Sequence, residues 1–283
     1  MVENEYIEKK IVIQGVEGCF HQEAAVQYFG AVEMDFVCAN DFESLASTVA
    51  SNPKSHLGIM AIENSIAGTI LQNYRILREY RLRIVGEIFL KIQHNLMCLP
   101  GQTIDQITEV WSHPMALNQC LNFLKKYPHL KKVETKDTAL CAKQITESQL
   151  DRVACIASKT AAELYGLNIL SSGIESEQYN YTRFFIIQDN TIPIPAGNFN
   201  KASIYIRVMN KPGSLYEVLR IMRELEINLS KLQSYPVPGK VGAYYFHLDL
   251  EFKEKKNYTD CIQQLEVATE LLEVLGVYEK DNI

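Results

Sequence analysis

Short apolar runs alternate with amphipathic stretches through the first two thirds of the chain. Ile11-Val12-Ile13-Gln14 predicts a buried strand, closed by Gly15 and Gly18. Ala24, Ala25 and Tyr28 recur at helical spacing over 20–29, and Gly30 ends that helix. A strand over 34–38 comes next, then a helix capped by Asp41 that carries Phe42, Leu45 and Val49. A third strand, 57–62, runs into Glu63-Asn64-Ser65. This order predicts a mostly parallel sheet with helices on its faces.

The run 84–99 is long and β-rich, interrupted by Lys91, Gln93 and His94, and reads as a strand crossing between two lobes. A second α/β unit follows. It comprises a strand ending at Trp111, a helix from Ser112-His113-Pro114 to Lys126, a strand at Val133 and a helix capped by Asp137 through Ile145. A strand over 153–156 and a helix ending at Tyr165-Gly166 complete it, and the apolar strand 182–188 returns to the first lobe. Pro193, Pro195 and Gly197 mark a linker over 191–198. Beyond it come a strand 202–209, a helix 214–225, strands 228–235 and 243–252, a helix 258–272 and a strand 274–278. That βαββαβ order is the ferredoxin-like one. The expected class is α/β, with domains at 9–190 and 200–280.

Composition narrows the function. With 47% hydrophobic and 22% charged residues the chain suits a compact soluble body. A net charge of −6 argues against a nucleic-acid surface. It also means that any anion must be held locally, by an arginine or by helix N-termini. No apolar run reaches the ~18 residues of a membrane span, and the polar start, MVENEYIEKK, lacks a signal region. The seven cysteines form no C-x-x-C pair and fit a reducing compartment, so a cytoplasmic location is expected. The dispersed histidines show no zinc-ligand spacing, and no metal is expected.

Four segments carry candidate chemistry. Gly15-Val16-Glu17-Gly18 follows a strand as a dinucleotide-binding turn does, but Glu17 stands where a glycine is needed and would repel a pyrophosphate. The glycines fit a tight turn or an approach of backbone N–H groups to an anion. Glu63-Asn64-Ser65 lies at the carboxyl end of a strand, where open α/β sheets bind ligands, and its residues equally suit a turn. Ser112-His113-Pro114 opens a helix, with Ser112 as the expected cap and His113 open between capping and ligand contact. In Asn180-Tyr181-Thr182-Arg183-Phe184, polar residues enter a strongly apolar strand. An arginine there needs an anionic partner, either a ligand or a carboxylate such as Glu63.

These segments, with His94-Asn95-Leu96, Asp137-Thr138-Ala139, Ile156-Ala157-Ser158 and Leu164-Tyr165-Gly166-Leu167, resemble the prephenate dehydratase family in order and spacing along nearly the whole chain. The C-terminal part resembles an ACT domain, an amino-acid-sensing module, with Asn210-Lys211-Pro212-Gly213-Ser214-Leu215 as its ligand loop. The resemblance implies a two-lobed catalytic fold like periplasmic binding proteins, with the site between the lobes, and a homodimer or homotetramer. It implies conversion of prephenate to phenylpyruvate without a cofactor. Thr182 is then the donor to the departing hydroxyl, and Arg183 holds a carboxylate or braces Glu63. Asn64, Ser65, Ser112, His113, Gln119 and Asn180 orient the substrate, while Glu63 and Phe184 organise the site. Asn210, Gly213, Ser214, Leu215, Asn228 and Ser234 are the corresponding effector residues, with L-phenylalanine the implied effector.

Two departures stand out. Phe20 is followed by His21-Gln22-Glu23, where the family often has Ser-His. Gln233-Ser234-Tyr235-Pro236 stands where ACT segments often read Glu-Ser-Arg-Pro, removing both charges. No mutase segment precedes residue 10, so a monofunctional enzyme is expected. Arogenate dehydratase and a non-catalytic amino-acid sensor are the alternatives.

Overall fold

A computed structural model describes residues 9–30, 34–194, 197–237, 239–240 and 242–281. The chain divides into two compact units: residues up to Ile76 with Ile88–Phe185, and Leu77–Glu87 with Ile186 onward.

The chain before the linker opens with β1 (Lys10–Gln14), α1 (Phe20–Phe29), β2 (Phe36–Ala39), α2 (Phe42–Ser51), β3 (His56–Asn64), β4 (Gly68–Thr69), α3 (Leu71–Glu79) and β5 (Leu82–Lys91), the last two crossing the division between the units. It continues through β6 (Asn95–Cys98), β7 (Glu109–Ser112), α4 (Pro114–Gln119), α5 (Leu121–Leu124), β8 (Lys131–Glu134), α6 (Thr138–Glu147), β9 (Val153–Ala157), α7 (Lys159–Tyr165), β10 (Asn168–Ser171) and β11 (Tyr181–Asp189). Two sheets result. In one the strands run β5-β11-β3-β1-β2, with β1 parallel to both β2 and β3. In the other the order is β10-β6-β9-β7-β8, with β7 parallel to β8 and β9. Each sheet has its own buried core; the second packs Leu96, Val110, Leu117, Leu124 and Ile156.

Local sequence accounts for most boundaries. Asp41 and Asp137 accept the backbone N–H groups of Ser44 and Leu140 and so start α2 and α6. Gly166 takes the left-handed conformation that ends α7. Two expectations are corrected. The run 84–99 is two strands in different sheets, because at Ile92–His94 the chain turns to other partners: Ile92 N–H donates to the Asn180 carbonyl (2.7 Å) and His94 N–H to Glu175 (2.9 Å). The expected helix to Lys126 breaks at Cys120, where the Gln119 carbonyl accepts Ser176 N–H (2.7 Å). The sequence reading also passed over α3, β4 and β10.

The second unit contains β12 (Lys201–Arg207), α8 (Ser214–Glu224), β13 (Asn228–Pro236), β14 (Tyr244–Glu251), α9 (Lys255–Ala268) and β15 (Leu271–Tyr278), the βαββαβ order. Its strands lie β13-β14-β12-β15, antiparallel throughout, and the start of β5 runs beside β15. A Cβ at Gly276 would overlap the Ile84 carbonyl, so only glycine allows that approach. Helices α8 and α9 cover one face through Ile204, Val218, Leu248 and Leu265. On the other face Lys201 and Glu87 form a buried ion pair at 2.9 Å. Arg78 forms a two-point bond to Glu273 there, with its guanidinium 3.6 Å from the centre of the Tyr205 ring. In the linker, Gln188 ties down the carbonyls of Ile192 and Pro193; Pro195 and Ala196 lie outside the described residues.

Candidate active site

The carboxyl ends of β3 and β5 meet the start of β11, and the polar side chains found there form one hydrogen-bonded network. Its polarity can be read without ambiguity, because it begins at backbone N–H groups, which only donate. Asn64 Oδ1 accepts from Ile66 N–H (3.0 Å) and Ala67 N–H (2.9 Å), so its Nδ2 points the other way. Nδ2 donates to Asn180 Oδ1 (2.8 Å) and Thr182 Oγ1 (3.0 Å), and reaches the Tyr181 carbonyl at 3.3 Å. Asn180 Nδ2 in turn donates to Gln119 Oε1 (3.0 Å), which also lies 2.8 Å from His94 Nε2. Lone pairs are therefore turned inward along the whole chain. Two donors are left over: the Thr182 hydroxyl hydrogen and the Gln119 Nε2 hydrogens have no acceptor among the described residues.

Burial makes this arrangement rigid. Asn180 is 0% exposed, His94 3% and Thr182 9%. Ser65 stitches the adjoining loop: its hydroxyl donates to the Tyr179 carbonyl (2.9 Å) and accepts Tyr181 N–H (3.0 Å). Asn64 and Ser65 thus hold the site together, and their hydrogen-bonding atoms are engaged within the protein. Phe184 packs edge-on against His21, with ring centres 5.0 Å apart. Burial holds the pKa of His21 down to about 3, so it is a neutral core residue whose Nε2 faces Ala61 N–H at 3.3 Å.

Strand alternation separates two residues that sit side by side in sequence. Thr182 and Phe184 share a face of β11, whereas Arg183 points the other way. Its guanidinium lies 4.7 Å from the centre of Phe185 and 5.7 Å from that of Phe89. Alternation along β3 likewise sets Glu63 on the face opposite Asn64.

Ser112 and His113 lie at the end of β7 and the start of α4, and neither side chain bonds to this network among the described residues. Ser112 is the last residue of β7, fully buried, with its hydroxyl donating to the Ile156 carbonyl (2.7 Å). The expectation that it caps α4 is corrected: His113 is the cap, accepting Met115 N–H at 3.2 Å through Nδ1. The glycine turn docks closely here. The Ser158 hydroxyl donates to the Gly18 carbonyl (2.5 Å), and a Cβ at Gly18 would lie 2.9 Å from Ala161 Cα. A Cβ at Gly15 would come within 2.7 Å of Asp137 Oδ2, and burial raises the pKa of Asp137. No group of His, Cys, Asp and Glu among the described residues is placed to hold a metal ion. No described helix is long and apolar enough to cross a membrane.

The sequence model of the prephenate dehydratase family matches residues 11–192. The chain belongs to that family. A prephenate dehydratase of Methanocaldococcus jannaschii is 31% identical over 275 residues, covering 95% of this chain and 98% of the relative. An Arabidopsis thaliana chloroplastic arogenate dehydratase/prephenate dehydratase is 32% identical, covering 96% and 73%. Among solved structures, one described as a quorum-quenching acylase has a TM-score of 0.86 at 29% identity, covering 96% of this chain and 98% of its own. A prephenate dehydratase from Arthrobacter aurescens in complex with L-Phe has a TM-score of 0.84 at 23% identity, covering 95% and 89%, a likeness of fold. Membership makes this protein an enzyme, a dehydratase of the lyase class.

The effector residues inferred from sequence lie in the second unit, and the structure groups them unevenly. Gly213 takes a positive φ of 85° and caps α8, and the Ser214 hydroxyl oxygen is buried without a partner among the described residues. Asn210, Leu215 and Ser234 lie at the same end of the sheet, where Arg207, Tyr245 and Tyr235 pair across the strands. Asn228 is at the other end, about 20 Å along β13 at the usual rise per residue, bonded to Glu251 at 3.3 Å. The residue that sequence reasoning missed is His94. Its signal was visible, since a histidine inside an apolar run must find a partner once buried.

Proposed function

We propose that the enzyme converts prephenate to phenylpyruvate, with Thr182 as the donor to the departing hydroxyl. The supporting observation is the Thr182 oxygen, which accepts from Asn64 while its own hydrogen has no acceptor among the described residues. A hydroxyl that accepts a hydrogen bond is a better donor in turn.

In the reaction the ring carbon–oxygen bond breaks. The electron pair of the carbon–carboxylate bond moves into the ring as CO2 leaves, and the hydroxyl departs as water after taking a proton through Thr182, which solvent replaces. Aromatisation supplies the driving force, so no cofactor is required. Gln119 Nε2 offers hydrogens to a substrate oxygen, and Ser112 and His113 are assigned to orient the substrate as well. Asn64, Ser65, Asn180 and Phe184 fix the geometry. Arg183 and Glu63 act as neighbours beneath the strand or as charge partners of a carboxylate.

We further assign 9–190 as the catalytic domain and 200–280 as an ACT domain that senses an amino acid, in a cytoplasmic homodimer or homotetramer. The orphaned Ser214 hydroxyl supports an effector at the start of α8. L-phenylalanine is the first ligand to try, since a neighbour of the same fold carries it. The Arabidopsis relative supports arogenate as the second substrate.

The experiment is incubation with prephenate, and separately with arogenate, following phenylpyruvate or phenylalanine, with added L-phenylalanine as a variable. Turnover of prephenate supports the proposal. A folded protein that turns over neither substrate would leave the sensor, and a test for amide hydrolysis would then address the acylase likeness.

A further inference from the structure

We propose that His94 is a positioning residue of the dehydratase site: as the neutral Nε2–H tautomer it clamps the Gln119 carbonyl, so that the Gln119 amide presents only hydrogens to the substrate. This deepens the reading above and rests on it for the kinetic part alone.

The backbone N–H groups of Ile66 and Ala67 fix the direction of Asn64, Asn64 fixes Asn180, and Asn180 donates to Gln119 Oε1. Gln119 Oε1 is therefore the oxygen, and His94 Nε2, at 2.8 Å from it, has to carry the hydrogen. Nδ1 is then the bare nitrogen, and the structure agrees: it is buried with no acceptor facing it among the described residues, where an Nδ1–H would be an orphaned donor. Burial also holds the pKa of His94 below its ordinary value. Phe20 meets the ring edge-on at 5.6 Å, and Glu175 holds the His94 backbone, so the imidazole has a fixed orientation. Without His94, Gln119 Oε1 keeps a single donor and the amide can turn over, setting a carbonyl oxygen against an oxygen-rich substrate.

Two measurements decide the matter. The first needs no turnover: nitrogen-15 spectra of the imidazoles, assigned with a His94→Gln control, in the parent and in Gln119→Leu. The expected result is a protonated Nε2 and bare Nδ1 for His94 at neutral pH, with that preference lost in Gln119→Leu. An imidazolium or an Nδ1–H tautomer in the parent would overturn the clamp. The second is kinetic. Loss of one hydrogen bond to the amide is expected to raise KM for prephenate roughly tenfold in His94→Leu, with kcat within about threefold, because the interaction is made equally before and during reaction. His94→Gln supplies an N–H donor again and should restore KM, and it also serves if the leucine variant fails to fold. An unchanged KM in folded His94→Leu, or a loss confined to kcat, would overturn the proposal. A folded parent that turns over neither prephenate nor arogenate overturns the dehydratase reading instead, and the spectra still decide the clamp.

Discussion

Replacing Thr182 by valine removes one oxygen and keeps the shape of the side chain. Thr182 is 9% exposed, so alanine would also leave a void, and valine isolates the hydroxyl. The structural cost is small. Asn64 Nδ2 loses the acceptor at 3.0 Å but keeps Asn180 Oδ1 at 2.8 Å and the Tyr181 carbonyl at 3.3 Å, so no buried donor is orphaned. One lost hydrogen bond costs about 0.5–1.5 kcal/mol of stability. The catalytic cost is larger: assistance to a leaving group is typically worth ~10²–10⁴ in rate, or about 3–5 kcal/mol of barrier. Thermal melting and steady-state phenylpyruvate formation should therefore diverge, with a Tm shift of a few degrees beside a fall in kcat of at least about a hundredfold. Thr182→Ser, which restores the hydroxyl, should recover most of the rate. A valine variant whose kcat stays within about threefold of the parent would refute the assignment.

Three further perturbations test the reasoning elsewhere. Burial holds the pKa of His21 at about 3, below the ~6.5 of an exposed histidine, so the unfolded chain gains a proton that the folded chain refuses. The stability present above ~6.5 is then lost as pH falls towards 3, at about 1.4 kcal/mol per unit, and His21→Gln should lessen that slope; equal acid sensitivity in urea melts would contradict it. Gly18→Ala adds a Cβ 2.9 Å from Ala161 Cα at a positive φ of 87°, and should lower stability by about 2 kcal/mol or more, read as a drop in Tm. Lys201→Met leaves the Glu87 carboxylate without the ammonium group it meets at 2.9 Å, and should cost about 3–5 kcal/mol by denaturant melting, where a change below about 1 kcal/mol would sink the reasoning.

Much of this protein was legible one segment at a time. Caps at Asp41 and Asp137, the glycine ends of α1 and α7, and the apolar runs of β1, β3 and β11 are local features, each set by the chemistry of a few adjacent residues. Three of the polar residues that the network joins, Asn64, Asn180 and Thr182, also stand out in the sequence as polar groups beside apolar strands. The separation of Thr182 from Arg183 also follows from strand alternation alone, although the sequence reading placed both in the chemistry.

The sequence by itself therefore determined most of the elements, the βαββαβ order of the second unit and the residue types available to the site. Tertiary structure decided where the run 84–99 breaks, because Asn180 and Glu175, the partners that capture Ile92 and His94, lie far along the chain. It also decided the direction of every hydrogen bond in the site. An amide has no preferred face until a fixed donor meets it, and here the first fixed donors are the backbone N–H groups of Ile66 and Ala67. From them the polarity passes through Asn64, Asn180 and Gln119 to His94, and it leaves Thr182 with a hydrogen to give.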